Sequence, residues 1–539
     1  MRPGRQTPEA PWGGWVAVLA LAYAVVMSAA CVYRFSLIDF AYDLHIFDQA
    51  FWSTIHEGTL LGNSQEGIEF GRHSHFSLHF SPALLALVPF YALWPAPQTL
   101  LILKTLALAL AAFPVFAFAA RRLGSRPMGA AVAALFLLYP PLHGVNVWGF
   151  HENEFAVAPL AFAIWFLETR RRRAFWIAVV VALCAKETVA LTLAAFGVYL
   201  AIFRRGERAT GAALLAVCVV WILAAEFVVM PLFRGKAPLQ AENLYFVQRY
   251  DPSIGRSYGE ILGNCLRHPL KMAAYALGHP VKQAYLFHLL FPFAFLVLLA
   301  PETLLIAAPV LAINLLSAYK GQVIIFGQYH AEIIPFLFYG FCLGVDRLAR
   351  WIGPGQGGAG LPTGAAPSQP SEAGLIAPDR ATMRRPAGRP ALQRAFIAVA
   401  LATTVTANVF FGAWAFAFGR ENQLLAITMA PERRTDARAL MARIPSDTSV
   451  LAGWNFANYL SQRRWIHTIQ SRALGAHPWE YVIYDTRFPW ATDITMAEFE
   501  NFLAEAKYEQ IEERAGMRLY RRPAANGGGA DGDESDESP

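Results

Sequence analysis

Charge is what this chain has least of. Of its 539 residues only 16% are Asp, Glu, Lys or Arg, whereas 55% are hydrophobic, a balance far more apolar than that of a soluble protein of this length. A multipass membrane protein is therefore the expected class. Cysteine is scarce as well. Cys31, Cys184, Cys218, Cys265 and Cys342 are scattered with no C-x-x-C spacing, which excludes the usual zinc ribbon and dithiol redox pair and leaves buried small apolar side chains. No internal repeat of the inverted-topology kind is visible, and this disfavours carriers built on such symmetry.

What charge there is follows a pattern. The net charge of +6 comes from arginines clustered in short loops between apolar runs, the positive-inside arrangement that orients helices, so no nucleic-acid partner is expected. Residues 11–33 carry no charge, a run long enough at about 1.5 Å per residue to cross about 30 Å of hydrocarbon. Arg2 and Arg5 precede it, which predicts a cytoplasmic N-terminus. A cleaved signal competes with this reading, since "SAAC" ends at Cys31, but the apolar run is too long and the usual leucine is missing.

Following the arginine loops gives about 9–12 membrane segments, all but the last in a helical domain at 1–350, with a first outer loop at 34–80. "PALLALVPFYALW" is too short to cross and reads as a half-membrane piece. The segment 174–203 has arginines on both flanks, so it is expected to be two short helices turning at the outer face with "AKET" at the turn. Residues 233–282 are expected to be a long polar loop. The Pro-, Gly- and Ala-rich stretch 351–392 reads as a disordered cytoplasmic linker, and 393–418 as the last transmembrane helix. Residues 430–522 have ordinary polar composition, with strand-like "TSVLAGW", "YVIYD" and "MRLYRR" and a helical "MAEFENFLAEAKYEQIEE". They are expected to form a small extracytoplasmic α/β domain, followed by a disordered acidic tail, 523–539. The expected location is the inner or plasma membrane of the cell.

This topology returns every dense polar cluster to one face. Asp43 and Asp48 lie in "FAYDLHIFDQAFW", His75 and His79 in "HSHFSLHF", His151, Glu152 and Glu154 in "FHENE", Lys186 and Glu187 in "CAKET", Arg249 in "VQRYD", and His330 and Glu332 in "GQYHAE". Ionisable groups at membrane depth are costly unless they line a cavity or pair, which points to a shared site; the plainer alternative is that outer loops are polar because they are loops. The i, i+4 pair His75 and His79 could hold a divalent metal. Lys186 and Glu187 fit either a buried ion pair or an anion site, and Arg249 fits either phosphate recognition or pairing with Asp251. His330 and Glu332 fit substrate contact or helix-end hydration. Lys104 and Glu226, inside predicted spans, are explained equally by snorkelling and by function.

In order, "YDLHIFDQAFW", "HFSPALLALVPFYALWP", "FHENEFAVAPLAFAIW", "CAKETVALTLAAFGVYL" and "GQYHAEIIPF" resemble the bacterial multipass family called domain of unknown function 2079, over roughly residues 15–520 apart from the linker. Its layout is similar to that of the glycosyltransferase C superfamily, membrane enzymes that take sugars from polyprenyl-phosphate donors. The resemblance implies a general-base aspartate in the first outer loop, matched by position by Asp43, and a lysine near the donor phosphate, matched by Lys186. The usual acidic pair is replaced by Asp43 and Asp48 five residues apart, which leaves open which of them acts. The implied reaction is an inverting transfer of a sugar from a polyprenyl-phosphate donor to a glycan, lipid or protein acceptor, with the leaving phosphate stabilised by Lys186, Arg249, the His/Glu cluster or a divalent metal. The alternative is a transporter or flippase for a lipid or polar solute. A transporter needs a polar path to the cytoplasmic side, whereas the inner halves of these spans read as almost uniformly apolar.

Overall fold

The computed structural model describes residues 12–38, 43–70, 74–234, 247–353, 388–414, 429–487 and 493–523. The expected linker falls mostly, and the acidic tail almost wholly, outside them. The chain is a helical membrane body with a small sheet domain at its C-terminal end. Among the described residues, four helical stretches are long and apolar enough to cross a membrane: Trp12–Ser36 (α1), Pro97–Leu123, Arg205–Arg234 and Arg389–Phe410. A fifth counts if Arg126–Leu137 and Pro140–Val147, bent by 43°, are one span. The sequence-based count of segments is higher because it includes shorter pieces. Among them are Val157–Glu168 and Arg172–Leu183, of 12 residues each, and Val189–Phe203 and Pro301–Leu316.

The break expected in 174–203 is present: Arg172–Leu183 and Val189–Phe203 are separate helices joined by residues 184–188. The second of these lies directly on Arg208–Ala224. A Cβ at Gly197 would come within 2.7 Å of the Gly211 carbonyl oxygen, and one at Gly211 within 2.5 Å of the Gly197 oxygen. Two glycines thus let the backbones touch, the small-residue contact that membrane helices use where no hydrophobic drive exists between them. The stretch 233–282 is more than a polar loop. It holds Tyr258–Arg267 and Pro269–Leu277, which leave Leu262, Leu266 and Leu270 exposed, as an interfacial helix does.

The sheet domain is built from β1 (Val450–Ala452), β2 (Ile466–Thr468), β3 (Tyr481–Asp485), β4 (Glu509–Arg514) and β5 (Met517–Arg521), in the order β2-β1-β3-β5-β4. Here β1 is parallel to β2 and β3, and β5 is antiparallel to β3 and β4. Alternation along β3 supplies two cores. Tyr481 and Ile483 pack with Leu440 and Met441 of helix Pro431–Met441, and Val482 and Tyr484 with Phe499 and Leu503 of helix Met496–Glu505. The helix expected over 496–513 ends early. Lys507 takes a left-handed φ of 56° and the rest becomes β4, which turns into β5 through Ala515 and Gly516, both at positive φ. That two-residue hairpin conformation matches strand twist and outweighs the helical look of "KYEQIEE".

Candidate functional site

Helix α2 (Leu44–His56) divides the opening polar cluster into two parts. Leu44, Phe47 and Phe51, at helical spacing, pack with Phe150 in an apolar cluster. The neighbouring stripe His45, Asp48 and Gln49 is polar yet buried, because the sheet domain covers it. Asn458 Oδ1 accepts from the His45 backbone N–H at 3.0 Å, and Gln49 Nε2 donates to the carbonyls of Arg463 and Arg464 at 2.9 and 3.0 Å. Asp48 receives Tyr91 on one carboxylate oxygen and Ser461 on the other, both at 2.6 Å. Burial pushes its carboxyl up to about 6 against these donors. In α3 (Ser64–Phe70), Ser64 Oγ bridges to β2 through the Ile466 N–H and carbonyl.

Asp43 is placed differently. It precedes α2 in the left-handed conformation, φ 60°, a state that Asp tolerates better than most residues but that is uncommon outside glycine. Its carboxylate is 38% exposed and lies 3.3 Å from Nε2 of buried His151. Burial works to raise the Asp43 pKa, but the His151 hydrogen bond and the charges of His151, His45 and Arg249 carry it below the ordinary carboxylate range. Burial opposes charge on His151, yet the hydrogen bond to Asp43 and the nearby charges of Asp43 and Glu154 hold it above its ordinary value. Behind the imidazole, Glu154 Oε1 is 3.9 Å from Nδ1 and 4.0 Å from Lys104 Nζ, with Lys104 and Glu154 both fully buried. Lys104 therefore does not snorkel. It faces inward to a carboxylate whose oxygens, like Nζ itself, have no hydrogen-bond partner among the described residues.

The other half of "FHENE" turns to the "AKET" loop. Lys186 Nζ sits 2.6 Å from Glu152 Oε1. Burial would raise the Glu152 pKa, but Lys186, His79 and His75 drive it far below its ordinary range. Lys186, opposed by its own burial, is raised by Glu152 and Glu187. Glu187 accepts from the Phe80 N–H at 2.9 Å and faces His79 Nδ1 at 3.0 Å, which ties the 74–82 segment to this loop. Glu332 receives Asn153 at 2.8 Å, Thr192 at 2.9 Å and Thr188 at 3.2 Å, and so fastens three segments at one point. Burial, despite these donors, leaves its pKa raised.

Asp43, His151, Glu152, Glu154, Lys186, Glu187, His79 and Glu332 thus come together. Arg249 acts on Asp43 through its charge, with its guanidinium 5.2 Å from the Tyr319 ring centroid, while Asp251 caps the Ser253 N–H. Two candidates stand apart. Asp48 belongs to the domain seam, and His330 donates to or accepts from nothing in the cluster: its Nε2 faces the Pro141 carbonyl at 3.2 Å, and burial holds its pKa down at about 4. His75 Nδ1 turns to Glu66 at 2.9 Å and His79 Nδ1 to Glu187 at 3.0 Å, with the two ring centroids 5.8 Å apart. Among the described residues no group of three or more His, Cys, Asp or Glu is arranged to hold a metal. Glu66 escaped sequence reasoning although a signal existed. "NSQE" is a capping pattern, realised as Asn63 Oδ1 accepting from the Glu66 N–H at 2.8 Å and Asn63 Nδ2 donating to Glu66 at 2.7 Å.

The opposite ends of the helices carry the arginine loops. Glu168 Oε1 receives Arg122 at 3.0 Å, Arg204 at 3.1 Å and Tyr339 at 2.6 Å. Between the two polar zones lie buried Leu160, Ile164, Leu193, Phe196 and Phe336.

The model of the family described as "Predicted membrane protein (DUF2079)" matches residues 34–519. A search of curated proteins finds no match. Among solved structures, ArnT from Cupriavidus metallidurans in the apo state is similar with a TM-score of 0.50 at 14% identity, covering 96% of this chain and 99% of that one. The same protein bound to undecaprenyl phosphate gives a TM-score of 0.45 at 15% identity with the same coverage. The likeness to the apo form is one of fold.

Proposed function

The chain belongs to the DUF2079 family of predicted membrane proteins, and from that premise we propose that it is an integral-membrane glycosyltransferase. It moves a sugar from a polyprenyl-phosphate donor to an acceptor hydroxyl at the extracytoplasmic face, with inversion. The N-terminus is cytoplasmic and the sheet domain lies outside. The donor class follows the glycosyltransferase C resemblance; a shared fold alone does not carry an activity, so the weight of the reading falls on the site.

The observation that carries it is the contrast between two aspartates. Asp48 has both oxygens occupied inside a domain seam, whereas Asp43 is partly open, oriented by His151 and held below the ordinary carboxylate range by it. In the transfer, the acceptor oxygen attacks the anomeric carbon as the bond to the leaving phosphate oxygen breaks. The hydroxyl proton passes to Asp43, and His151, whose pKa is raised by Asp43 and Glu154, orients the carboxylate before that step. Arg249 suits the departing phosphate better than Lys186, because Lys186 is already neutralised by Glu152 at 2.6 Å.

The test supplies purified full-length protein with radiolabelled polyprenyl-phosphate sugars and an acceptor mixture. Label is expected in an acceptor, and no transfer from any donor by folded protein would contradict the reading.

A further inference from the structure

Helices Val157–Glu168, Val189–Phe203 and Ile334–Ile352 all start beside the site and run away from it. At about 1.5 Å per residue they carry the chain roughly 18–28 Å, and beside the far ends of the second and third lies an open cavity of about 370 Å³. Four arginines line it, Arg122, Arg204, Arg347 and Arg350, with the carboxylates of Glu302 and Asp346.

The charges do not cancel. Glu168 serves Arg122 and Arg204, Glu302 serves Arg347, and Asp346 serves Arg350 at 3.4 Å together with Arg389. Three carboxylates thus face five guanidiniums, a surplus of two positive charges. A guanidinium presents five N–H donors in a planar fork that matches phosphate oxygens. Arg347 donates to Glu302 and to the Leu299 carbonyl and Arg350 to Asp346, yet their side chains are 42% and 52% exposed, so a ligand entering the cavity meets the remaining face of each guanidinium. The remaining wall includes Phe203 and Leu343, and Phe203, Trp351 and Ile352 are exposed at the same helix ends. Large apolar and aromatic side chains beside cations are what a membrane boundary favours.

We propose that this arginine-lined cavity is a second site, remote from Asp43, which binds a phosphate-bearing ligand: the headgroup of an anionic lipid or free phosphate. It does not depend on the transfer reading. Arginine in such loops also orients helices, so the proposal stands on the cavity and on the charge surplus gathered within it, and its test separates site from general basicity.

Full-length protein in detergent is titrated with phosphatidylglycerol, with phosphatidylcholine of the same acyl chains, and with inorganic phosphate. Bound lipid is read by native mass spectrometry and phosphate by thermal shift. The double variant Arg347→Gln/Arg350→Gln removes two exposed lining cations, and Arg173→Gln removes an exposed cation outside the cavity lining. Phosphatidylglycerol is expected to bind in preference to phosphatidylcholine and to lose at least about tenfold in the double variant, with Arg173→Gln unchanged. A phosphate shift that the double variant abolishes, without lipid preference, identifies free phosphate as the ligand. Binding of neither, or equal loss in Arg173→Gln and the double variant, overturns the proposal.

Discussion

Nε2 of His151 lies 3.3 Å from Oδ2 of Asp43, and its Nδ1 lies 3.9 Å from Oε1 of Glu154. One imidazole therefore links a partly open carboxylate to a fully buried one, and through it to Lys104. The 3₁₀ turn Glu152–Ala156 makes this possible, since it sends Glu154 inward and Glu152 toward Lys186.

The Lys104–Glu154 pair should matter for stability more than an exposed pair would. Both side chains are fully buried at 4.0 Å, and removing one partner strands the other charge. Lys104→Met is expected to cost roughly 3–5 kcal/mol, read as a fall in unfolding temperature in detergent. The double variant Lys104→Met/Glu154→Leu should recover most of it, because an apolar pair of similar volume is tolerated where a lone charge is not.

His151 should give the protein an alkaline limit. Its folded pKa is raised, despite burial, by Asp43 and Glu154. The stabilisation is then fully present below the unfolded value of about 6.5 and is lost as pH rises through the higher folded value. Unfolding temperature and transfer rate should both decline on that alkaline limb, and His151→Gln should abolish the limb while lowering the rate. A limb unchanged in His151→Gln would assign the titration to another group.

Asp48 should show the same sign of slope in a more acidic window. Its folded pKa of about 6 stands above the ordinary 3.8 because burial disfavours the charge. The protonated form is the better folded one, and stability falls as pH rises from about 4 to about 6, by on the order of 3 kcal/mol. Asp48→Asn keeps an acceptor for Tyr91 and an amide for Ser461, so its unfolding temperature is expected to be nearly flat across that window.

Much of this was legible in the sequence. The helix break at "AKET" follows from arginines on both flanks of 174–203, and the shared polar zone follows from the parity of the arginine loops. What was not legible depends on what covers a residue. Asp43 and Asp48 sit in the same apolar context, and only the sheet domain, more than 400 residues downstream, occupies Asp48 through Ser461. Lys104 carries no mark in a run of leucines and alanines to say that Glu154 awaits it. The strand β4 was hidden because "EQIEER" is as polar on its exposed face as a surface helix, and its register is set by pairing with β5.

The central claim is that Asp43, and not Asp48, takes the acceptor proton. Its most direct test measures sugar transfer by wild type, Asp43→Asn and Asp48→Asn at neutral pH, with the fold of each checked by unfolding temperature. Asp43→Asn is expected to lose about 100-fold or more while remaining folded, and Asp48→Asn to keep activity within a few-fold. Retained transfer in Asp43→Asn, or its loss in a well-folded Asp48→Asn, would contradict the account.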